Sequence, residues 1–182
     1  MVHAPEFYNR RKGFQFGRKK GEPTAPAGVK LEHRIGVQAP AEVIWEILQD
    51  VAAWPAWNPI VSQAQGAVRI GEKFSFTRTL PGGRPEGIVS TVLDWTPNEL
   101  IHAKRSRLGG LVTVVAYWEI DTLGEENCIF SNGELFLGLL GPGQAKRLKG
   151  PLRRGYAAVC EAMKAKAEAE WRARSGAPTS AP

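Results

Sequence analysis

The chain's first predicted elements are a half-buried strand and an amphipathic helix. Apolar and polar residues alternate along VKLEHRIGV, residues 29–37, which is the period-two pattern of a strand with one buried face. The next segment, APAEVIWEILQDV (residues 39–51), sets Val43, Ile47 and Val51 on one face and starts at a proline, as helices commonly do. We therefore expect a strand followed directly by a helix.

Six further strand-like runs follow, from IVSQAQGAVRI to CIFSNGELFLG. Turn residues separate them, for example PGGRP at residues 81–85 and the pair Gly109-Gly110. Short runs of even spacing with such turns are typical of consecutive antiparallel hairpins. The sequence therefore predicts an antiparallel sheet.

The last predicted element is a long amphipathic helix that follows the glycine-rich hinge GLLGPG, residues 138–143. Apolar residues recur at steps of three or four from Leu148 to Met163, while Lys and Glu fill the opposite face. Pro151 is expected either to kink this helix or to mark its start. Because only this helix is long enough to cover the apolar face of a curved sheet, we predict an α+β fold.

The two ends of the chain lack apolar periodicity. Residues 1–28 carry six Lys or Arg against two Glu, together with several Gly and Pro, and are expected to form a flexible basic arm. Residues 175–182 are expected to be a disordered tail. The folded domain is thus predicted to span residues 29–174.

Composition limits the possible functions. The net charge is +6, of which the arm holds +4, so the rest of the chain is not a polyanion binder by composition. A second basic cluster lies at the start of the last helix. It consists of Lys146, Arg147, Lys149, Arg153 and Arg154.

Several other classes of site lack their sequence signals. No apolar run approaches the roughly 20 residues of a membrane span, and the N-terminus lacks an apolar signal-peptide core. Cys128 and Cys160 share no short spacing, so we expect a reduced, cytoplasmic protein. Neither metal-ligand spacing nor a phosphate-binding loop is present, and we predict no metal and no cofactor.

The segment WPAWNP, residues 54–59, crowds two indoles between prolines. Together with its surroundings it resembles the SRPBCC superfamily (START-like, polyketide cyclase/dehydrase and lipid transport). The resemblance covers about residues 29–170 and rests on a proline-initiated first helix with a Val/Ile–Trp pair, a following Asp and Trp-Asn-Pro turn, and two later motifs. The matching residues are Pro40, Val43-Ile44-Trp45, Asp50, Trp57-Asn58-Pro59, Gly71-Glu72, Glu134, Phe136 and Gly138.

This resemblance implies a helix-grip fold. In that fold a curved seven-stranded antiparallel sheet wraps around a long C-terminal helix, with two short helices after the first strand, and encloses an apolar cavity. Residues 54–59 would form the short second helix that closes one end of the cavity. Trp57 would then line or plug the cavity mouth, whereas Trp54 could equally be a partly exposed neighbour.

The predicted function is the binding of a small hydrophobic or amphipathic ligand, lipid-like, polyketide-like or isoprenoid-like, in that cavity. Each candidate residue could instead simply fill the core, because buried aromatic side chains usually serve packing. His102, Arg105 and Glu134 are the candidates for orienting the ligand at the mouth. The candidate ligand-binding residues are Trp57, Phe74, Phe76, His102, Trp118, Ile120, Tyr156 and Met163.

Two alternatives stay open. A cyclase- or dehydratase-like enzyme acting on a polyketide or related carbonyl compound would need His33 or His102 as a general base facing the cavity. Either histidine could equally be a structural residue, so binding is favoured over catalysis. In the other alternative, the basic arm docks the domain on an anionic membrane or a nucleic acid, although it could also be a solvated tail.

Overall fold

The computed structural model describes residues 28–176, so the predicted basic arm and C-terminal tail lie almost entirely outside the described residues. The strands are β1 (Val29–Val37), β2 (Val61–Gly66), β3 (Lys73–Arg78), β4 (Glu86–Thr96), β5 (Leu100–Arg107), β6 (Val112–Gly124) and β7 (Asn127–Leu137). The helices are α1 (Ala41–Gln49), α2 (Trp54–Trp57) and α3 (Gly141–Ser175), and 3₁₀ turns lie at Val51–Ala53 and Leu108–Gly110.

All seven strands belong to one antiparallel sheet in the order β1-β7-β6-β5-β4-β3-β2. Sequential strands pair as hairpins from β2 to β7, and β1 then pairs along the outer side of β7. The two short helices between β1 and β2 connect the opposite edges of the sheet. The predicted α+β helix-grip fold is confirmed.

Helix α3 lies on the concave face of the sheet and contacts β1, β6 and β7. Its buried face includes Leu152, Tyr156, Val159 and Met163, which recur at three- and four-residue steps as predicted. The helix is 35 residues long and begins at Gly141, so the second half of the predicted hinge is already helical and Pro151 lies inside the helix. Pro151 therefore does not mark the helix start.

Local hydrogen bonds order the segment between α1 and β2. Asp50 Oδ1 accepts from Ala53 N at 3.2 Å and caps the first 3₁₀ turn. Asn58 N donates to Trp54 O at 2.8 Å to end α2, and Asn58 Oδ1 accepts from Ile60 N at 3.2 Å. These bonds fix the indole of Trp54 toward the core, where its Nε1 donates to Leu48 O at 3.1 Å.

Both cysteines are free and buried. Burial raises the pKa of Cys128 to about 11 and that of Cys160 to about 12, so both thiols are protonated at neutral pH. Within residues 28–176, no helix combines the length and apolar character that crossing a membrane requires.

Candidate ligand-binding site

A small, partly open cavity lies between α2, the concave face of the sheet and α3. Its volume is about 30 Å³, which is room for one or two water molecules. Both apolar and polar side chains surround it. The lining residues are Trp54, Asn58, Ile60, Val61, Phe76, Arg78, Ala116, Trp118, Asn132, Gly133, Glu134, Tyr156 and Val159.

The apolar side of the cavity is a cluster of four aromatic rings centred on Trp54. The centroid of its ring lies 5.4 Å from that of Trp118, 5.7 Å from Phe74 and 5.8 Å from Phe76, in tilted or edge-on geometry. Rings at these separations attract one another through their quadrupoles in addition to the area they bury. The interior is therefore largely filled by aromatic packing.

The polar side of the cavity is a buried ion-pair cluster. Glu134 Oε1 accepts from Arg78 Nη1 at 2.7 Å and from Arg105 Nη2 at 2.8 Å. Each of these three side chains is at most 6% exposed. At the outer edge of the cluster, Arg78 Nη2 also donates to Glu86 Oε2 at 3.1 Å, and Glu86 pairs with Arg107.

Each charged side chain of this cluster stabilises the charged form of its partner. Burial alone would raise the pKa of Glu134, but Arg105 and Arg78 outweigh burial and keep that pKa below its ordinary value. Burial likewise opposes the charge of Arg78, yet the Glu134 carboxylate raises the pKa of the guanidinium further. Two guanidinium groups thus share one fully buried carboxylate, and Glu86 at the outer edge supplies a second, partly exposed counter-charge to Arg78.

Two buried guanidinium nitrogens of this region, Arg78 Nε and Arg105 Nη1, lack a hydrogen-bond partner among the described residues. The Tyr156 hydroxyl lies beside the Glu134 carboxylate. Burial and the nearby Glu134 charge raise the pKa of Tyr156 well above its ordinary value, so its hydroxyl stays protonated and can donate. Because buried polar atoms are rarely left unpaired, the two nitrogens are candidates for contacts with a bound polar group.

The predicted ligand residues fall into three groups. Phe76, Trp118 and Tyr156 line the cavity, as does the predicted orienting residue Glu134. A second group lies in the surrounding core or beside the cavity. It consists of Phe74, Ile120, Met163 and Arg105. Trp57 is only half-buried and does not line the cavity, so that Trp54 takes the interior position that the sequence had favoured for Trp57.

Neither of the two candidate histidines lies at the cavity. On β5, His102 pairs with Glu119 on the convex face, where its Nε2 lies 2.9 Å from Glu119 Oε1, whereas Arg105 points to the interior. His33 is half-buried on β1, and its carbonyl accepts from Cys160 Sγ at 3.6 Å. Their assignment as candidate general bases remains a prediction without geometric support from the cavity.

Sequence reasoning missed Arg78 and left the position of Trp54 open. Arg78 follows Phe74 and Phe76 at two-residue steps in KFSFTR, so the alternation places a cation on the buried face of β3. A charged residue at an inward-facing position signals a buried partner, because unpaired charges are excluded from cores. Trp54 carried no comparable signal, since both indoles of the turn fit either position.

No group of three or more His, Cys, Asp or Glu side chains within residues 28–176 could hold a metal ion. The polar groups that line the cavity are guanidinium, carboxylate, hydroxyl and amide groups.

A curled sheet that closes a partly polar cavity against a long C-terminal helix defines a helix-grip protein. The chain belongs to the polyketide cyclase / dehydrase and lipid transport family, whose model matches residues 28–168. This match confirms the resemblance to the SRPBCC superfamily. No curated protein sequence matches the chain.

Solved structures with the same fold come from proteins of different activities. The Zhui aromatase/cyclase from Streptomyces sp. R1128 is 19% identical at a TM-score of 0.65, over 84% of this chain and 99% of that one. A START superfamily protein from Mycobacterium smegmatis is 17% identical at a TM-score of 0.62, over 78% of this chain and 98% of that protein. Norcoclaurine synthase from Thalictrum flavum is 16% identical at a TM-score of 0.62, over 82% of this chain and 99% of that enzyme. At these identities the similarity establishes the fold alone.

Proposed function

We propose that this protein binds a small amphipathic molecule whose polar group is an anionic or carbonyl oxygen. The supporting observation is the inner cluster of Arg78, Arg105 and Glu134, in which two guanidinium groups share one fully buried carboxylate and keep unpaired N–H donors near the aromatic rings. Guanidinium groups bind carboxylate and enolate oxygens through short charged hydrogen bonds. The apolar body of the ligand would pack against Trp54, Phe76 and Trp118.

Binding requires the interior to expand. Sites for drug-sized ligands are roughly 300–1,000 Å³, whereas this cavity is about 30 Å³. The wall made by α2 and β2 is the segment best suited to move, because α2 is a single turn and β2 is a sheet edge with a register shift between Val61 and Gln63. We infer that ligand entry displaces this wall from the aromatic cluster.

The test uses two probes of similar shape and different charge, the anionic 1-anilino-8-naphthalenesulfonate and the neutral 1-aminoanthracene. We expect Arg105→Gln to weaken binding of the anionic probe about tenfold or more, since it removes a charged hydrogen bond. Binding of the neutral probe should change much less. Trp118→Leu should weaken the binding of both probes.

Lys104→Gln is the matched control, because Lys104 is exposed, adjacent to Arg105, and on the opposite face of β5. Thermal unfolding of each variant separates lost binding from lost folding. If Arg105→Gln leaves anionic-probe binding unchanged while remaining folded, the interior cluster is not the polar site and the proposal is wrong.

A cyclase- or dehydratase-like reaction is the second candidate. It is favoured by the family description and by the aromatase/cyclase among the structural neighbours. The two guanidinium groups could stabilise an enolate oxygen, and the protonated Tyr156 could donate to it. However, the lowered pKa of Glu134 makes this carboxylate a weak base, and no histidine lines the cavity among the described residues. Binding is therefore the primary proposal.

Mass spectrometry after incubation with a linear poly-β-ketone tests the catalytic candidate. Cyclisation with dehydration joins an enolate carbon to a ketone carbon and releases one water, so the product would be lighter than the substrate by one water. Catalysis at this site would be lost in Tyr156→Phe. The same conversion rate with Tyr156→Phe as with the wild type would exclude a role for this hydroxyl.

A further inference from the structure

Two loops at one end of the molecule expose four leucine side chains. Leu108 and Leu111 belong to the β5–β6 turn and are 67% and 46% exposed, whereas Leu139 and Leu140 precede α3 and are 73% and 45% exposed. Half of the large apolar side chains that are strongly exposed in the described residues lie in these two loops. Contiguous exposed apolar surface on a folded domain usually marks an interaction site.

The two loops are joined by their backbones. Leu140 N donates to Leu111 O at 3.0 Å. Gly138 has a φ of +85°, and a Cβ at this position would lie 2.6 Å from the same carbonyl oxygen, so only glycine permits so close an approach. The two loops therefore lie side by side, and their four exposed leucines are hereafter called the leucine patch (Leu108, Leu111, Leu139 and Leu140).

The backbone at Leu108 lies in a conformation that leucine disfavours. Its φ is +52°, in the left-handed region, and Gly109 and Gly110 follow with φ of +63° and +96°. This backbone conformation does not bury the side chain of Leu108 within the domain, because that side chain is largely exposed. Residues held in such conformations concentrate at functional sites.

Unpaired cations follow the leucine patch along the chain. The first turns of α3 carry five exposed Lys or Arg side chains that form no ion pair with any described residue. Residues 135–160 and 100–118 contain no Asp or Glu at all. The five cations are Lys146, Arg147, Lys149, Arg153 and Arg154.

Several of these cations converge on a shallow groove between β1 and α3. Lys146, Lys149 and Arg153 line it together with Lys30, and its floor is formed by Val29, Leu31, Pro142 and Ala145. The groove begins two residues beyond Leu140 on α3. The groove thus lies at the first turns of α3, directly after the leucine patch in the chain, and cationic side chains border it.

We propose that the leucine patch and the cationic first turns of α3 form a docking surface for an anionic phospholipid bilayer. Aliphatic side chains inserted at the headgroup boundary, with Lys and Arg beside them, are the physical basis of interfacial membrane binding. Each cation near an anionic membrane surface contributes roughly fivefold to the affinity. The proposal is independent of the ligand that the interior binds.

The composition of the patch distinguishes this partner from others. Proteins that bind single-stranded RNA stack the bases on aromatic side chains, and the strongly exposed large apolar residues of the described chain are Leu, Ile and Val only. Protein interfaces are centred on aromatic and Arg anchors with a polar rim. Here the centre is aliphatic and the cations lie at its border.

Sedimentation of the full chain with lipid vesicles tests the proposal. The probe is phosphatidylcholine vesicles with about 30% phosphatidylserine at about 0.1 M salt, compared with pure phosphatidylcholine and with high salt. We expect binding to the anionic vesicles that high salt weakens. The double variant Leu108→Ser, Leu139→Ser should reduce the affinity at least about tenfold, because each inserted leucine is worth about tenfold or more.

Ile70→Ser with Leu123→Ser is the matched control, because these two residues are 63% and 64% exposed and lie outside the leucine patch. This control should bind as the wild type does. Lys146→Gln with Lys149→Gln should weaken binding and reduce its salt dependence. Each variant keeps residues 1–27, so any contribution of the N-terminal arm is constant.

Insertion can be measured directly with a polarity-sensitive dye on Leu139→Cys. Cys128 and Cys160 are buried with raised pKa values and should not react in the native protein, so the new thiol is labelled alone. We expect a blue shift of the dye emission with anionic vesicles, and none with the dye on Leu123→Cys. Failure of the wild type to bind anionic vesicles would overturn the proposal. The proposal would also be overturned if the leucine double variant bound anionic vesicles as tightly as the wild type. Binding of RNA or a protein in place of vesicles would overturn it too.

Discussion

Arg78 and Glu134 form an ion pair of 2.7 Å across the interior although three strands separate β3 from β7 in the sheet. The pair can form only because the sheet curls, which brings the inward-facing side chains of distant strands together. Arg105 on β5, the middle of the three intervening strands, donates to the same carboxylate oxygen. The charged cluster therefore exists only when the sheet has its full curvature around α3.

Glu134→Gln should strongly destabilise the fold. The substitution leaves the buried Arg105 without a counter-charge and Arg78 with only the partly exposed Glu86, and loss of one member of a buried ion pair typically costs about 3–5 kcal/mol. Urea denaturation at neutral pH measures the change in the free energy of unfolding. Glu161→Gln on α3 is the control, since Glu161 is exposed and forms no ion pair within the described residues. A cost below about 1 kcal/mol for Glu134→Gln would show that the cluster does not stabilise the fold.

The same cluster predicts how stability depends on pH. The pKa of Glu134 is lower in the folded chain than its ordinary value of 4.5, and the same holds for Glu86 beside Arg78. The unfolded chain therefore takes up protons first as pH falls, so this contribution is complete above about pH 4.5 and is lost as pH falls through the folded-state pKa. We expect the stability difference between wild type and Glu134→Gln to shrink below pH 4.5, as measured by urea denaturation across pH. A difference that stays constant from pH 7 to about pH 3 would contradict this linkage.

The fold could be predicted from sequence because its signals are local and periodic. The alternation in residues 29–37 gave β1 with its bounds, and Gly, Pro and Asn turns separated the six strands that follow. The start of α3 was less predictable, because Gly141, Pro142 and Gly143 have poor helix propensity. Proline is nevertheless tolerated in a first helical turn, where the missing N–H has no partner in any case.

The interior site was predicted only in part because it depends on contacts between distant strands. Phe76, Trp118 and Tyr156 were found from their inward-facing spacing. The meeting of Arg78 with Glu134 depends on the curl of the sheet, which no local pattern contains. The size of the cavity was equally hidden, since it depends on how four aromatic rings pack.

Gly133→Ala should disrupt the convex face of the sheet. Tyr117 crosses β7 over Gly133 to donate to Glu32 on β1 at 3.1 Å, and a Cβ at position 133 would collide with the Tyr117 hydroxyl and lie 2.6 Å from the Leu31 carbonyl oxygen. Such overpacking typically costs about 1–3 kcal/mol. Thermal and urea unfolding measure the loss.

Gly36→Ala is the matched control for this steric argument. Gly36 lies on the neighbouring strand β1 and is exposed, and a Cβ added at this position would meet no atom within 4 Å. We expect the substitution to be neutral or stabilising by about 0.5–1 kcal/mol, because alanine loses less backbone entropy than glycine. Equal losses in the two variants would mean that the crossing of Tyr117 over β7 is not the cause.

The two indoles of α2 should differ sharply in their contribution to stability. Trp54 is 2% exposed, contacts three aromatic rings and donates to Leu48 O, so Trp54→Ala should cost about 3–5 kcal/mol. Trp57 is half-buried, so Trp57→Ala should cost less than half as much. Urea denaturation followed by circular dichroism measures both, because the fluorescence of the remaining indoles changes with each substitution. If Trp57→Ala proves the more damaging change, the interior is organised around Trp57, and the aromatic wall assigned to the ligand must be redrawn.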